Sequence, residues 1–361
     1  MIHIVLIEFR ASTPAPVHLA NALGELCRVT LMLPDAASSL IQAVNRETVD
    51  LQPFTMPRIR QPSNLAMVRR LRRRLERLHP HLIHITFWHP WGTPGLGVRS
   101  LAPLVATVHD VERHLGERGL WAIPPFLYRW QWHWARQVIV HATRARQRLS
   151  EQYGYPAERI HVIPLGRYDY YRALSSQSQP EEPHTILFFG RIWGYKGLQY
   201  LIKAEPLITR AVPDTRIIIA GHGEPFEKYR QAMVNPHHFE VYNYRIPDNE
   251  VAPLFQRASV VVLPYLEASQ SGIIPIAYTF GKPVVATHVG GLPDVVKDGE
   301  TGFLVPPADA QSLAEAVIRL LKDDALRHKM GQQAQQFAET VLSWSNIAQR
   351  TMDVYRLALN D

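Results

Sequence analysis

Short, nearly unbroken apolar runs recur along the whole chain, separated by longer stretches in which apolar residues return every three or four positions. In the first half the runs are IHIVLIEF, RVTLML, HLIHITF, LVATVH, QVIVHAT and HVIPLG. The second half continues with TILFFG, TRIIIAG, FEVYNY, SVVVLPY, PVVAT and TGFLVPP. Runs this short and this rich in β-branched residues predict strands covered on both faces, as parallel sheets require. Their alternation with helical patterns predicts an α/β chain of two doubly wound, Rossmann-like domains. One composition break, SSQSQPEEPH at 175–184, reads as the linker. The expected organisation is therefore an N-terminal domain over 1–174 and a C-terminal domain over 185–343. A closing helix over 344–361 is expected to pack back on the first domain.

Length and composition agree with this division. A chain of 361 residues with 46% hydrophobic and 20% charged content is a globular protein too long for one ordinary core. No apolar run approaches the roughly 18 to 20 residues that a spanning helix needs, and MIHIVLIEF starts a strand pattern rather than a signal peptide, so a cytoplasmic location is expected. Cys27 is the only cysteine, and no Cys/His spacing suggests a metal site, so neither a disulfide nor a resident metal is expected. The net charge of +7 is uneven: residues 1–175 hold 22 Arg, no Lys and 12 acids, a net +10 against −3 for the remainder. Two halves so different in charge are expected to serve different partners.

Three stretches of the second half carry candidate chemistry. FFGRIWGYKG puts Gly190 at a strand end, then Arg191, then Lys196 ahead of a helix. A flexible loop at the carboxyl end of a parallel strand can aim two cations at one phosphate-bearing ligand, and a solvated loop with two surface charges is the competing reading. IIIAGHGEP places Gly221 and Gly223 directly after a strand, where a backbone can approach a base or phosphate closely, or simply turn. After SVVVLPY, the segment LEASQSGIIPIAYTFGKP brings Glu267, Ser269, Gln270, Ser271 and Gly272 before a helical run with Pro275 in its first turn. That is a receptacle for an anion or sugar hydroxyls, or a Ser-capped helix without a ligand. In the first half, LVATVHD ends a strand on His109, beside an Asp110 placed to fix its tautomer.

These motifs, in this order, resemble those of the retaining glycosyltransferases of family 4, two-domain enzymes of the GT-B type. GRIWGYKG, GHGEP and GKPVVATHVGGLPDVVKDGETGFLVPP match the family over about 190–307, and VATVHD, VIVHATRARQRLSEQYG and ERIHVIPLG match more loosely. The resemblance implies two domains facing across a cleft, and Arg191 and Lys196 on the donor's diphosphate. It also implies His109 facing the transferred sugar, Gly272 at the sugar or its phosphate, and Arg245 and Ile246 near the base. It implies transfer of a hexose from a nucleoside diphosphate sugar to a hydroxyl of a glycan or lipid-linked acceptor, with retention, without a metal or other cofactor. Two departures stand out. RASTPAPVHLA replaces the family's Gly-rich acceptor loop, and Ala277 stands where a second Glu holds the nucleotide ribose, with Ser269 at the first Glu position. Glu300 or Asp294 could then reach the ribose. A catalytically idle sugar-nucleotide-binding subunit, or an epimerase or phosphorylase of the same fold, stays open.

The first half adds a basic and aromatic surface. MVRRLRRRLERL spaces Val68, Leu71, Leu75 and Leu78 on one helical face, with Arg69, Arg70, Arg72, Arg73, Arg74 and Arg77 around them. Such a helix fits an anionic leaflet, which would place the protein peripherally at the inner membrane face; a core-packed helix with solvated arginines is the alternative. GLWAIPPFLYRWQWHWARQ supplies Trp121, Phe126, Tyr128, Trp130, Trp132 and Trp134 for a membrane interface or an apolar acceptor channel. Nucleic acid would account for the basic surface but for none of the second-half motifs, so none is expected as partner.

Overall fold

The computed structural model describes residues 1–10, 13–111, 129, 132–175 and 178–360. Those before Arg167, together with those from Ser343 onward, form one compact unit, and Arg167–Leu342 forms the other. Each is built on a parallel sheet. In the first, β1 (His3–Glu8), β2 (Arg28–Pro34), β3 (Val49–Phe54), β4 (Leu82–Phe87), β5 (Leu104–Val108), β6 (Gln137–Val140) and β7 (Ile160–Val162) lie in the order 3-2-1-4-5-6-7. In the second, β8 (Thr185–Phe189), β9 (Arg216–Ala220), β10 (Phe239–Tyr242), β11 (Val260–Leu263), β12 (Val284–Thr287) and β13 (Gly302–Val305) lie in the order 10-9-8-11-12-13. The winding therefore reverses between β1 and β4 and again between β8 and β11. Ligands of open α/β sheets bind at such points, outside the carboxyl ends of the strands.

The apolar runs become central strands because both faces of each sheet are covered. Ile4, Val5, Leu6 and Ile7 are all fully buried on β1. On β8, Ile186 and Phe188 join the core on one face of the second sheet while Leu187 joins the core on the other, the two-residue period of a pleated strand. β3 escapes the pattern reading: VDLQPF alternates, carries Pro53 and sits at the sheet edge, where only its ends are buried.

The polar stretch at 175–184 does not mark the change of unit, which falls earlier, between Gly166 and Arg167. Its acids belong to the second unit. Glu181 pairs with Lys282 (2.6 Å) and Arg327 (2.8 Å), and Glu182 with Arg257 (2.6 Å) and Arg216 (3.3 Å). Polar composition here reflects an ion-paired strap rather than a free linker, because Lys282 and Arg327 are nearly buried and need a counter-charge. The closing helix Trp344–Asn360 belongs to the first unit, where Ile347, Ala348, Tyr355 and Ala358 are buried. Tyr355 Oη lies 2.7 Å from His84 Nδ1 on β4.

Candidate functional site

In the second unit three strand-end loops interlock at the reversal point. Gly190 N donates to Ala220 O (2.9 Å), Ile192 N to His222 O (2.9 Å) and Glu224 N to Ile192 O (2.9 Å), tying the loops after β8 and β9 together. Gly221 has φ 151°, and a Cβ there would fall 1.7 Å from Gly190 O. Gly197, at φ 70°, closes the first loop against β11, and its Cβ would fall 1.7 Å from Pro264 O. No other residue fits these two contacts without moving backbone.

On this frame sit the two cations expected from the sequence. Arg191 is exposed, and its Nη2 donates to Tyr195 Oη (3.0 Å); Lys196 Nζ lies 3.7 Å from the Tyr265 ring centre and 5.0 Å from that of Tyr195. Both rings are almost completely buried. Burial pushes the Tyr265 phenol up to about 12, opposed by its contact with Ser271 and by the nearby Arg191 charge. The two neutral rings thus hold both cations, Lys196 over their faces through the ring quadrupoles and Arg191 through the Tyr195 hydroxyl. Neither tyrosine was singled out from the sequence; their only signal is adjacency, Tyr195 beside Lys196 and Tyr265 closing VLPY.

The segment after β11 continues the site. Tyr265 Oη lies 3.4 Å from Ser271 Oγ, and Ile273 N donates to that same Oγ (3.3 Å) at the start of helix Ile273–Thr279. Among the described residues the buried side-chain oxygen of Gln270 has no partner, an acceptor open to a ligand or water. Gly272, Ser269 and Glu267 are half-buried along the same turn. Gly223 backs Ile192, while Arg245 and Ile246 follow β10 at the far edge of the sheet, Arg245 exposed and Ile246 packed against the core. Ala277 is fully buried in that core. Counted back from Gly281 and Pro283 instead of forward from Gly272, the family pattern puts Ile276 at the second Glu position, and Ile276 is buried too. In either register an apolar side chain faces inward, so no carboxylate is supplied from this helix.

The first unit gathers titratable groups at its own reversal point. Glu8, at the end of β1, is 2% exposed and accepts from Thr86 Oγ1 (2.9 Å) and Arg10 N (2.5 Å); burial pushes its carboxyl up to about 8. Thr86 Oγ1 also donates to Ile7 O (3.2 Å), and one hydroxyl proton cannot serve both acceptors. A protonated Glu8 resolves the count by donating to Thr86 while Thr86 donates to Ile7. His109 Nε2 donates to Thr86 O (2.9 Å), and His109 Nδ1 faces His141 Nε2 at 3.0 Å. His141 Nδ1 donates in turn to Ile163 O (2.8 Å). Burial pushes both rings toward the neutral form, His141 down to about 3 with His109 reinforcing the shift, while Asp110 pulls both the other way. A pocket of about 50 Å³ adjoins them, lined among others by His84, Thr107 and Trp344. Glu8 and His141 were not read from the sequence, because nothing local marks a residue whose partners lie on other strands.

The basic helix Ser63–Leu78 differs from its membrane reading. Val68, Leu71 and Leu75 are buried in the core of the first unit and Leu78 packs against it, so the apolar stripe read for a leaflet faces inward. Arg72 is tied to Glu76 (2.9 Å) and Leu96 O (3.1 Å), whereas Arg69 and Arg73 are exposed. Trp132 is likewise core, with Trp134 packed against it, while Trp121 and Trp130 lie outside the described residues. Among the described residues no helix is long and apolar enough to cross a membrane, and no cluster of three His, Cys, Asp or Glu could hold a metal ion.

Known proteins share both units. The family described as "Glycosyl transferases group 1" matches residues 183–323, and "Glycosyltransferase Family 4" matches 17–167. A D-inositol 3-phosphate glycosyltransferase of Paenarthrobacter aurescens is 30% identical over 80% of this chain and 76% of its own length. An uncharacterized glycosyltransferase of Methanocaldococcus jannaschii is 28% identical over 62% of this chain, and the match spans 60% of that protein. Among solved structures, the Anabaena protein HepE in complex with UDP-glucose superposes with a TM-score of 0.72 at 18% identity, covering 99% of this chain and 100% of the other.

Proposed function

This chain belongs to the group 1 glycosyltransferases with a GT-B-type fold, and on that premise we propose that it moves a hexose from a nucleoside diphosphate sugar to a hydroxyl of a glycan or lipid-linked acceptor. The observation carrying this reading is the pair of cations, Arg191 and Lys196, docked on Tyr195 and Tyr265 at the reversal point of the second sheet. The Anabaena neighbour, solved with UDP-glucose, supports a donor of that class. In the proposed reaction the sugar's C1–O bond to the diphosphate breaks while the acceptor oxygen bonds C1 on the same face. The acceptor's proton passes to the leaving diphosphate. Arg191 and Lys196 offset the charge growing on that leaving group, so retention needs no protein nucleophile. Their positions are fixed before the donor arrives, which limits the reorganisation needed during the reaction. Glu267, Ser269, Gln270, Ser271 and Gly272 would line the donor's sugar-phosphate end, with Gly190, Gly221 and Gly223 letting backbone approach it and Arg245 and Ile246 near the base. His109 would serve the sugar from the first unit, which takes the acceptor.

A second reading, a sugar-nucleotide-binding subunit without catalysis, is favoured by one observation: Ala277 and Ile276 offer no carboxylate for the ribose. A thermal-shift screen across nucleoside diphosphates and their sugars, followed by product analysis with the best ligand, separates the two readings. We expect one base to stand out by mass action and the purified protein to transfer or hydrolyse its sugar. Arg191→Ala should lower kcat/KM by about a hundredfold or more at unchanged thermal stability. An intact Arg191→Ala protein with wild-type transfer would overturn the assignment, and tight donor binding with neither transfer nor hydrolysis would select the idle subunit.

A further inference from the structure

The His109–His141 pair has a proton deficit that points to a role for His141. Three contacts run through the two rings: His109 Nε2 to Thr86 O at 2.9 Å, His109 Nδ1 to His141 Nε2 at 3.0 Å, and His141 Nδ1 to Ile163 O at 2.8 Å. Each contact needs one proton, because a carbonyl oxygen only accepts and two bare ring nitrogens repel. Two neutral imidazoles carry two N–H groups between them. Their outer nitrogens spend both on the carbonyls, leaving the facing nitrogens with none.

We infer that one proton is shared between His109 Nδ1 and His141 Nε2, making His141 the positioning residue that fixes the ring of His109. The pair then holds three protons for three contacts and a single positive charge. A fourth proton has no acceptor, since it would set two N–H groups against each other at 3.0 Å. Burial, the largest influence on both rings, opposes a charge on the pair, so the shared proton rests on the three contacts, and the groups facing the pair from the described neighbouring elements act in both directions. Asp110, following β5, favours the charge; Arg10 after β1 opposes charge on His109, and His84 on β4 opposes it on His141. Glu8 reaches the pair only through Thr86, and Tyr355 on the closing helix reaches it only through His84. Loss of the shared proton leaves two lone pairs facing each other, so one ring must turn and give up a carbonyl. The orientation of His109 therefore depends on a proton that His141 helps to hold.

The catalytic consequence rests on the transferase reading above, whereas the proton count does not, so the test has two arms. In the first, imidazole nitrogens are followed by ¹⁵N NMR from about pH 4 to about pH 9, a range spanning the ordinary histidine titration. We expect one protonation step reported by both rings, belonging to the pair and not to either residue, with His109 Nε2 and His141 Nδ1 protonated on the acid side of that step. His141→Gln, whose amide can still donate to His109 Nδ1 but cannot take up the proton, should move the His109 step. Two independent steps in the wild type, or an unmoved His109 step in the variant, would overturn the sharing whatever the enzyme does. In the second arm, His141→Gln should lower kcat about tenfold, leave the donor KM within about twofold, and remove one limb of the pH–kcat profile, as expected when a reacting group loses its alignment. A folded His141→Gln protein with the wild-type pH–kcat profile would overturn the positioning role. His141→Asn, checked for folding by circular dichroism, guards against an effect peculiar to glutamine.

Discussion

Both units place a polar site where a parallel sheet reverses its winding, yet they bury different chemistry there. The second unit buries phenols: Tyr195 and Tyr265 carry Arg191 and Lys196, and Tyr278 bonds Thr301 (2.6 Å) behind them. The first unit buries imidazoles and one carboxyl, with His84, His89 and Glu8 in or beside the sheet and His109 facing His141. A phenol stays neutral across any ordinary working pH, so cations docked on it sit in a constant field. An ordinary imidazole takes up a proton near neutrality, and burial makes the fold refuse it, so the first unit responds to mild acid that the second ignores. For a protein proposed to bind a diphosphate on one unit, the constant site suits the part of the ligand whose charge is also constant.

The largest effect expected to sharpen this contrast is acid instability confined to the first unit. Burial pushes His84 down to about 3 and His89 down to about 4. Both are neutral in the folded and unfolded chain above about pH 6.5, where their contribution is fully present; as pH falls, the unfolded chain takes up protons that the fold refuses. Glu8 works the other way. Its carboxyl, raised to about 8, is already protonated in the fold, so acidification through the same window restores stability. Between about pH 6.5 and about pH 4.5, two histidines against one carboxyl leave a net loss of about 1.4 kcal/mol per pH unit. In the second unit the raised Tyr265 and Tyr278 keep their contribution below about pH 10 and lose it only above, while lowered carboxyls such as Glu181 and Glu240 lose theirs only below the ordinary carboxylate value. Hydrogen exchange at about pH 5 and about pH 7.5 should show β4–β6 opening at the lower value while β8–β12 stay protected. Equal loss of protection in both units would break the contrast.

Next in size is Ala277→Glu. The side chain would enter a closed apolar core, so the second unit should lose about 3 kcal/mol in urea denaturation, with no gain in donor affinity. Unchanged stability with tighter nucleotide binding would instead mean that the donor pocket extends under this helix. A smaller change is expected at Tyr265→Leu, which removes the ring beneath Lys196 and should weaken donor binding by about 1 kcal/mol, roughly fivefold in titration calorimetry. Tyr265→Phe keeps the ring and should bind the donor nearly as the wild type does. The smallest effect belongs to the exposed arginines: Arg69→Ala with Arg73→Ala should reduce co-sedimentation with anionic liposomes by about 1 kcal/mol per residue at low salt, fading as salt rises. If binding survives the double change, the basic helix is only a solvated face.

The cation loop was legible because it is local. Gly190, Arg191, Lys196 and Gly197 fall within eight residues between a strand and a helix, and strand-end placement follows from the apolar run before them. The apolar stripe of MVRRLRRRLERL stayed open between a leaflet and a core for the opposite reason. A helical stripe of Val68, Leu71 and Leu75 has the same period whether it meets lipid or a core, and only the packing of the first sheet's neighbours decides. The acids of 175–184 were similarly ambiguous, since Lys282 and Arg327, which fix Glu181, lie about a hundred and more positions away.

By itself, then, the sequence determined the described strands other than β3, their parallel sense and the loop that presents Arg191 and Lys196, since these depend on side-chain periods and on neighbours a few residues apart. Tertiary structure alone decided that Tyr195 and Tyr265 cradle those cations, that Ala277 points inward, and that His109 meets His141. The first and last are contacts between strand ends brought together by sheet order, the second is a helix face turned to the core, and all three are fixed by the burial of the whole unit rather than by any segment within it.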